Sequence, residues 1–372
     1  MDDTNHQYKK LSKGGPKTGK SALNDLRWRD FKRTLRQELK DIYHFYLDKE
    51  TKERLSEMGR LKKWIKQSYW ILKSLFLKLS PFRRALLLIS LILPVFYTRI
   101  QTSDLGVVFD LRLISFLTLL LILMLELKDK LLARDELATA RLVQSALIPR
   151  ENPEIAGWES WLFTRPANEV GGDLVDYLKI SEERWGLALG DVAGKGLGAA
   201  LLMAKLQATL RALAPSFKSL TRLGAQLNTI FCRHGLPNRF VSLVYLELNP
   251  GSGRVRVLNA GHLPPIVLHD DSLTEMPRGS PALGIHPEAS YRDQSIELKP
   301  DELLLVYSDG LTEARNEQGE FFGDQRLHRL LAELKGLSAE AVGVRLMTEV
   351  NDFIGDARLS DDLSLLVLKR LN

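Results

Sequence analysis

The second half of the chain repeats short apolar runs bounded by glycine, asparagine, aspartate and proline. Examples are WGLALGD (185–191), RFVSLVYLELNP (239–250), RVRVLNAGH (254–262), DELLLVYSDG (301–310) and DLSLLVLKR (362–370). Runs of this length and composition are typical of β-strands. Longer segments with helical patterns lie between them, at 197–213, 220–234, 325–335 and 339–354. Because strands come in runs and helices in pairs, the sequence predicts an α+β layered domain rather than a doubly wound sheet.

Several carboxylates stand at the ends of these predicted strands, beside glycines. They are Asp173, which follows two glycines, Asp191 after WGLALG, Asp309 after LLLVYS, and Asp361 and Asp362, which open LSLLVL. A carboxylate at the end of a buried strand is costly unless it is paired or binds a cation. Aspartate oxygens suit Mg²⁺ or Mn²⁺, and two such ions held by four carboxylates could activate a water for in-line attack on a phosphate. For any single aspartate, the alternative is a turn residue or a helix cap.

The glycine-rich segment GDVAGKGLG (190–198) resembles a phosphate-binding loop but lacks the hydroxyl residue of a Walker A motif. Gly196 stands after Lys195, where Ser or Thr would be needed to hold Mg²⁺. An NTPase is therefore not expected. The glycines instead allow the backbone to approach a metal at Asp191, with the carbonyl of Val192 as a possible ligand.

Cysteine content and charge exclude other classes. The chain has one cysteine, Cys232, so a disulfide scaffold and a cysteine-based zinc site are excluded, and a reducing compartment is favoured. Residues 1–84 carry 22 Lys and Arg against 10 Asp and Glu, a formal charge of +12. Since the whole chain has a formal charge of +6, the remaining residues have a charge of −6. A basic head of this kind favours an anionic surface.

The basic head is predicted to be a polar tail over 1–25 followed by helix over 27–79. It shows no secretory signal pattern. Its last part, WIKQSYWILKSLFLKL (64–79), mixes aromatic and aliphatic residues with lysines, a pattern that suits contact with anionic lipid. The alternative is a helix packed on its own domain. No recognised nucleic-acid motif is present, so a nucleic-acid partner is not expected.

Two apolar runs follow, at 85–98 and 105–125. The first has no charge, and the second has Asp110 and Arg112 only near its start. Arg83 and Arg84 precede the two apolar runs and lysines follow them. Because basic residues are enriched on the cytoplasmic side of membrane spans, both ends of this segment are expected in the cytoplasm. The first run is short for a membrane span of roughly 20 residues. We expect a two-span membrane hairpin over 83–126, with a re-entrant hairpin or a buried helical pair as alternatives.

A linker helix is predicted over 127–149, ending at Pro149. Leu127, Leu131, Ala138 and Leu142 form one stripe at helical spacing. Such a stripe after a membrane hairpin suits pairing with a second copy, which predicts a homodimer. The alternative is a helix docked on the domain that follows it, at 150–372.

From about residue 140 to 370 the chain resembles the bacterial PPM-type (PP2C-like) serine/threonine phosphatases of the RsbU/SpoIIE group. No single segment is decisive, but the set occurs in the family's order. The matching segments are ATARLVQSALIP (138–149), EVGGDLVDY (169–177), LGDVAGKGLGAALLMA (189–204), FVSLVYLELN (240–249), NAGHLPPIVL (259–268), PALGI (281–285), LLLVYSDGLTEARNEQGEFFG (303–323) and DDLSLLVL (361–368).

The resemblance implies a PP2C-like β-sandwich flanked by helices, with a centre of two Mn²⁺ or Mg²⁺ ions between the sheets. It implies that Asp191 bridges the two ions and that Val192 contributes its backbone carbonyl. Asp176 and Asp362 lie in the same motifs and are expected to orient ligands or waters. The other residues that match the family's metal-binding and catalytic aspartates are Asp173, Asp309 and Asp361.

The resemblance further implies a metal-dependent phosphatase. The predicted hairpin and its basic flanks place this phosphatase at the bacterial inner membrane, with its catalytic domain in the cytoplasm. The implied substrate is a phosphoserine or phosphothreonine on an anti-anti-sigma, STAS-like protein. The alternatives are a catalytically silent scaffold that binds such a regulator and a phosphatase of small esters. Departures from the family pattern, such as Ala193 for serine and Ser364 for threonine, leave all four ligand carboxylates intact.

Three further residues have open roles. His262 is a possible general acid, although a hydrogen bond within its turn is the simpler interpretation. Lys195 either contacts a substrate phosphate or is a solvated loop residue. Arg165 either contacts phosphate or lies at a sheet edge.

Overall fold

The computed structural model describes residues 60–95, 99–101, 108–234, 239–269 and 272–371. The polar tail and the first part of the predicted helical head, at 1–59, lie outside the described residues. The chain divides into two compact units, residues 1–130 and residues 131–372, which are considered separately below.

The described part of the first unit contains two helices, one small β-ladder and the start of a long third helix that continues into the second unit. Helix α1 spans Arg60–Lys78 and α2 spans Pro81–Ile92, followed by a 3-10 turn at Leu93–Val95. Strands β1 (Arg99–Gln101) and β2 (Val108–Asp110) pair antiparallel. Helix α3 then runs from Leu111 to Leu147. The second apolar run was predicted to begin at residue 105, but its helix begins only at Leu111 because the three residues before it pair with β1.

Helices α2 and α3 meet through polar groups. The hydroxyl of Ser115 donates to the carbonyl of Ser90, and both serines are buried. At the other end of α2, the Arg83 guanidinium contacts Glu126 at 2.6 Å and Asp129 at 2.7 Å. Leucine and isoleucine side chains on the same helices are exposed instead: they include Leu88, Ile89, Leu91, Leu117, Leu121 and Leu123. Ile122 of α3 is buried, but polar groups join the two helices and the leucines and isoleucine named above face outward.

The second unit is a sandwich of two antiparallel five-stranded sheets. The first sheet has the order β10-β7-β6-β5-β4, and the second has β3-β12-β11-β8-β9. The strands of the first sheet are β4 (Leu174–Ser181), β5 (Arg184–Val192), β6 (Val241–Leu248), β7 (Arg254–Ala260) and β10 (Asp293–Glu297). Those of the second are β3 (Trp158–Arg165), β8 (Ile266–Leu268), β9 (Leu273–Glu275), β11 (Leu303–Tyr307) and β12 (Leu363–Arg370).

Helices cover both outer faces of the sandwich. Helices α4 (Leu197–Leu213) and α5 (Leu220–Arg233) pack on the first sheet. The short α6 (Asp309–Thr312) follows β11, and α7 (Gly323–Glu333) and α8 (Ala339–Ile354) pack on the second sheet. The predicted PP2C-like β-sandwich flanked by helices is therefore confirmed.

The alternation of side chains explains why the central strands read as continuous apolar runs. In β5, Leu187 and Leu189 point into the core between the sheets, whereas Ala188 belongs to the core beneath α4 and α5. In β12, Leu366 lies between the sheets and Leu365 faces the helices on the other side. Since both faces of each strand are buried, neither face needs polar residues.

Among the described residues, one helical segment is long and apolar enough to cross a membrane. This segment, Leu197–Ser216, contains α4 and is 44% buried. It is not one of the two runs predicted to form the hairpin.

The C-terminal end of α3, from residue 131 onward, belongs to the second unit and packs on the rest of it. Gln144 donates to the carbonyl of Gly171 at 2.7 Å and accepts from the Gly171 N–H at 3.0 Å. Gln207 of α4 donates to the carbonyl of Leu147 at 2.7 Å. The alternative interpretation of the linker, a helix docked on the following domain, therefore describes this end of the helix.

Candidate metal centre

Strand β5 carries Asp191 to one end of the sandwich. Asp191 is paired in register with Ser242 of β6, and Val192 is paired with Val241. After Val192 the chain leaves the sheet through Gly194 and Gly196, which have φ angles of 107° and 76°. Such angles favour glycine, so this part of the loop depends on those two residues. Helix α4 then begins at Leu197.

Two neighbouring strands of the second sheet bring Asp309 beside Asp361. Asp309 follows β11 and opens α6, and Asp361 lies just before β12. A Cβ at Gly310 would lie 1.9 Å from the carbonyl oxygen of Asp362. Only glycine therefore allows the chain after Asp309 to approach the start of β12 this closely.

Asp173 lies directly before β4 and is buried, with 5% of its surface exposed. Its Oδ2 atom has no hydrogen-bond partner among the described residues. The preceding Gly172 allows close approach to the neighbouring loop, since a Cβ there would lie 3.1 Å from the Val192 carbonyl oxygen. A buried carboxylate oxygen without a partner is costly, and a bound cation would remove that cost.

Asp191, Asp309 and Asp361 line one cavity of about 610 Å³, together with Val192. The cavity also has a basic and partly apolar side. Its other lining residues are Ala193, Gly194, Lys195, Phe240, Ser242, Gly261, His262, Leu263, Pro264, Arg278, Gly279 and Ser280. Three of the four predicted ligand aspartates therefore face the same space.

The carboxylates destabilise one another's charged forms. Burial, followed by the charges of Asp309, Asp361 and Asp362, raises the pKa of Asp191 to about 6. Burial, followed by the charge of Asp191, raises the pKa of Asp173 well above its usual value. The pKa of Asp309 is raised by burial and then by Asp361. Such a cluster favours a cation or a proton.

The donor set fits a hard divalent cation. It consists of carboxylate oxygens and one carbonyl, which are the ligands that Mg²⁺ and Mn²⁺ prefer. The buried Oδ2 of Asp173 provides an acceptor without a partner in the described part of the chain. As the side chains stand, no three histidine, cysteine, aspartate or glutamate side chains of the described residues close around one point.

Asp362 fixes the loop that leads to Asp173. Its carboxylate accepts hydrogen bonds from the N–H of Ala167 at 2.7 Å and from that of Gly172 at 2.5 Å. Gly171 also lies against it, because a Cβ there would be 2.7 Å from Asp362 Oδ2. The position of Asp173 is therefore tied to the start of β12.

The structure does not bring Asp176 to this group. Its side chain is 2% exposed and accepts two hydrogen bonds from Arg211 of α4, at 2.6 and 2.8 Å. It also accepts one from the N–H of Tyr177 at 2.9 Å. The carboxylate therefore fastens α4 to the first sheet, and the expected ligand-orienting role has no contact to support it.

Lys195, Arg165 and Cys232 also have defined positions. The Lys195 ammonium lies 2.9 Å from Asp361 Oδ2 and donates to the Ser360 carbonyl at 2.6 Å. Arg165 ends β3, at the edge of the second sheet, and donates to Asn351 of α8 at 2.9 Å. It does not line the cavity. Cys232 is half-buried on α5.

Sequence reasoning missed Ser308 and Ser242 near the site, and it noted Ser364 only as a replacement for threonine. Ser308 and Ser364 are fully buried and lie beside Asp173, where their hydroxyls partly offset the rise in its pKa. Ser242 lies on β6 opposite Asp191 and contacts His262 at 2.8 Å. Each serine lies within or beside an apolar strand. A small polar residue in such a strand was the signal that could have indicated these positions.

Several proteins of known name are similar to this chain in sequence. The chain is 25% identical over 239 residues to the phosphoserine phosphatase RsbU of Bacillus subtilis, covering 64% of this chain and 70% of RsbU. It is 29% identical over 191 residues to the phosphoserine phosphatase RsbP of the same organism, covering 49% and 46%. With protein IcfG of a Synechocystis species, it shares 25% identity over 273 residues, which cover 66% of this chain and 43% of IcfG. The match thus spans less than half the length of IcfG and RsbP.

Two solved structures share the fold. The SiaA-PP2C domain of Pseudomonas aeruginosa matches with a TM-score of 0.57 and 18% identity, over 66% of this chain and 99% of that domain. The PP2C phosphatase domain of SpoIIE from Bacillus subtilis, with a fragment of its regulatory domain, matches with a TM-score of 0.52 and 18% identity, over 59% and 65%. These likenesses show the sandwich architecture.

The family assignment rests on a direct sequence match. The family model described as Stage II sporulation protein E (SpoIIE) matches residues 181–371, slightly more than half of the 372 residues. Together with the RsbU and RsbP relatives and the PP2C folds, this match confirms the predicted RsbU/SpoIIE membership, and the chain belongs to the SpoIIE family.

Proposed function

We propose that the chain is a metal-dependent protein serine/threonine phosphatase. This proposal rests on four aspartates from separate segments that lie at one end of the sandwich, three of them lining one cavity. The two Bacillus subtilis relatives are named phosphoserine phosphatases, which supports phosphoserine as the substrate class. Four carboxylates at one site are costly to keep for structural reasons alone.

The proposed metal ligands are Asp173, Asp191, Asp309, Asp361 and the carbonyl of Val192. When bound there, two Mn²⁺ or Mg²⁺ ions would lower the pKa of a water and offset charge on the phosphoryl oxygens. Asp362 holds the loop of Asp173 in place through two backbone N–H groups. Lys195 and Arg278 line the same cavity, and their positive charges favour entry of an anionic phosphate.

The substrate that we propose is a phosphorylated regulatory protein of the anti-anti-sigma, STAS-like class. The family resemblance supports this, and so does the shape of the site. The cavity is lined by strand ends and loops, and Phe240, the one phenylalanine, tyrosine or tryptophan among its lining residues, is itself 43% exposed. A phosphoserine on the surface of a partner could reach the carboxylates without being enclosed.

Two alternatives remain distinct from this proposal. A catalytically silent scaffold would bind the same regulator without releasing phosphate. A phosphatase of small esters would turn over a free ester as efficiently as a phosphoprotein, and a cavity of about 610 Å³ is large enough for such a ligand.

Phosphate release by the full chain tests these possibilities. A phosphorylated STAS-domain protein, a phosphoserine peptide and p-nitrophenyl phosphate are compared with Mn²⁺, with Mg²⁺ and with chelator. We expect metal-dependent release, fastest from the phosphoprotein and lost in D191N and D309N. Binding of the phosphoprotein without release would support the scaffold. Equal kcat/KM for protein and free ester would support a small-ester phosphatase.

We also propose that residues 83–126 form a membrane hairpin that places the catalytic domain at the cytoplasmic face of the bacterial inner membrane. The support is the inverted polarity of α2 and α3: Ser90 and Ser115 are buried between them, and their leucines are exposed. Polar contacts of this kind join helices in lipid. On α1, exposed Ile65, Leu72 and Leu77 accompany lysines and support contact with anionic lipid.

Membrane association is tested by fractionation and by labelling. The full chain should sediment with membranes and resist carbonate extraction, and a cysteine placed at position 103 should react with an impermeant reagent added outside the cell. A cysteine at 357 in the catalytic domain serves as the control and should stay protected. Release by carbonate would contradict a spanning hairpin.

A homodimer formed through α3 is the remaining proposal. Leu142 and Val143 are 72% and 60% exposed, and Leu131 is 50% exposed. Replacing Leu131 and Leu142 with glutamate should convert a dimer to a monomer in light scattering. An unchanged mass would contradict pairing through this stripe.

A further inference from the structure

His262 lies at the base of the metal-site cavity, two residues after the end of β7. Asn259 holds the turn: its Oδ1 accepts from the His262 N–H at 2.9 Å, and its amide donates to the His262 carbonyl at 3.2 Å. The intervening Gly261 has a φ of 73°, and a Cβ there would lie 2.5 Å from Ala282. The turn is therefore tightly packed, and it directs the imidazole inward, where it is 8% exposed.

The two ring nitrogens of His262 have different partners. Nε2 lies 3.1 Å from the carbonyl oxygen of Tyr307, and Nδ1 lies 2.8 Å from the hydroxyl of Ser242. A carbonyl oxygen can only accept, so Nε2 carries the proton. Burial lowers the pKa of His262 to about 4, so the ring is neutral at pH 7. In a neutral ring Nδ1 is then an acceptor, and the Ser242 hydroxyl donates to it.

These two partners belong to different sheets, and each lies close to a metal-site aspartate. Ser242 of β6 is the register partner of Asp191 in the first sheet. Tyr307 is the last residue of β11 in the second sheet, two residues before Asp309. The imidazole is thus a hydrogen-bonded bridge across the sandwich, directly below the space where the carboxylates meet.

We propose that His262 is a positioning residue for the metal centre, which sets the separation of Asp191 and Asp309 by holding Ser242 and Tyr307 at a fixed distance. This inference rests on the proposed function and adds to it a residue that acts through its two hydrogen-bond partners. Charge repulsion among the carboxylates favours their moving apart, and a rigid bridge between the sheets opposes that movement. Groups that orient ligands commonly change metal affinity by about 10- to 100-fold.

The test compares the full chain with H262N and H262Q in Mn²⁺ binding by calorimetry. In H262N the shorter amide can still meet Ser242 but ends short of the Tyr307 carbonyl. In H262Q the amide is long enough to donate to that carbonyl. We expect roughly tenfold weaker Mn²⁺ binding in H262N and partial recovery in H262Q.

His269 provides a matched control in the same domain. Its ring also makes two hydrogen bonds, to Glu302 at 2.7 Å and to Thr274 at 3.0 Å, and neither partner lines the cavity. H269N should lower the melting temperature but leave Mn²⁺ binding unchanged. A purely structural role of His262 would give the same result in H262N, with lower stability and unchanged Mn²⁺ affinity, and would overturn the inference.

Three further outcomes are decisive. If H262N does not fold, S242A is the smaller change that removes one of the two hydrogen bonds of His262. Unchanged Mn²⁺ affinity in S242A would overturn the inference. If the unaltered chain binds no Mn²⁺ and releases no phosphate, the proposed function fails and this inference fails with it. If the unaltered chain binds Mn²⁺ and H262N binds it equally well, only the role of His262 is rejected.

Discussion

Gln144 and Gly171 exchange two hydrogen bonds, so the end of α3 is fastened to the loop that leads to Asp173. The amide of Gln144 donates to the Gly171 carbonyl at 2.7 Å and accepts from the Gly171 N–H at 3.0 Å, and Gln144 is 6% exposed. Gly172, the next residue, is held by Asp362. The helix and β12 therefore fix this loop from two sides.

We expect Q144A to destabilise the fold and to weaken metal binding. It leaves a buried N–H and a buried carbonyl of Gly171 unpaired, which costs about 1–3 kcal/mol for each group. Urea unfolding and a Mn²⁺ titration of phosphate release measure the two effects. The exposed pair of Arg141 and Glu169, at 3.3 Å, is the control, since R141A should change stability by less than about 1 kcal/mol. Equal behaviour of the two variants would contradict the role of Gln144.

D191N should have opposite effects on stability and on activity. Without metal, the pKa of Asp191 in the folded protein is raised to about 6 from its usual 3.8. The folded state therefore binds more protons than the unfolded state between those values, and the metal-free protein gains stability as the pH falls through that window. Above it the charged carboxylate is unfavourable, so D191N should be the more stable protein at pH 7.5 in chelator.

Adding Mn²⁺ should reverse that order. Metal that binds only the folded state stabilises the unaltered chain by about 2.7 kcal/mol at 100 times the dissociation constant. D191N should gain little and should release no phosphate. Melting curves with Mn²⁺ and with chelator measure this. A D191N protein that is less stable than the unaltered chain under both conditions would argue against the repulsive cluster.

D176N should show that the two aspartates of the EVGGDLVDY segment have different roles. Asp176 is buried and bound to Arg211, so its replacement should lower stability by about 1–3 kcal/mol. Because it lies away from the cavity, the Mn²⁺ concentration for half-maximal phosphate release should stay the same. D173N should change that concentration strongly. A large change in the D176N metal requirement would show that Asp176 orients ligands after all.

K195Q should strengthen metal binding at low Mn²⁺. The Lys195 ammonium lies 2.9 Å from Asp361 and is about half exposed, so the pair contributes at most about 1 kcal/mol. Removing a competing cation should therefore lower the half-saturating Mn²⁺ concentration by a factor of about five or less. If Lys195 acts instead on the substrate, K195Q would raise KM for the phosphoprotein and leave the Mn²⁺ requirement unchanged.

The neutral His262 should make stability fall in mild acid. Its pKa is lowered from 6.5 to about 4 by burial, so the unfolded state takes up a proton first as the pH decreases. Its contribution is complete above pH 6.5 and is lost between about 6.5 and 4, by up to about 3 kcal/mol. The raised pKa of Asp191 acts in the opposite direction in that range. Denaturant curves of H262N and the unaltered chain, measured from pH 7.5 to 4.5, isolate the histidine because the other groups are common to both.

Much of the fold could be predicted because its central strands and helices have strong local patterns. The helix predicted over 197–213 spans Leu197–Leu213, and that predicted over 339–354 spans Ala339–Ile354. Strands β3 and β4 were not singled out, and both lie at a sheet edge. Edge strands carry charged and polar residues, as in β4 with Lys179, so their apolar signal is weaker.

The aspartates of the candidate site could be identified in the sequence because they stand beside glycines. Which of them lie close together in the fold could not be predicted. Asp173 and Asp176 stand three positions apart in one segment. In β4, Leu174 packs beneath α4 and Val175 packs between the sheets, and Asp176 returns to the helix side, where it meets Arg211. Whether a strand residue lies against the helices or between the sheets depends on how the strands pair, and this pairing joins residues that are distant in the chain.

The sequence by itself therefore determined the element types and the chemistry available at strand ends, because hydrophobic period and turn residues act locally. Tertiary structure alone decided which carboxylates converge, that Lys195 pairs with Asp361, and that His262 joins Ser242 to Tyr307. Those relationships link residues separated by 20 to 166 positions, so they arise only when the two sheets close on each other.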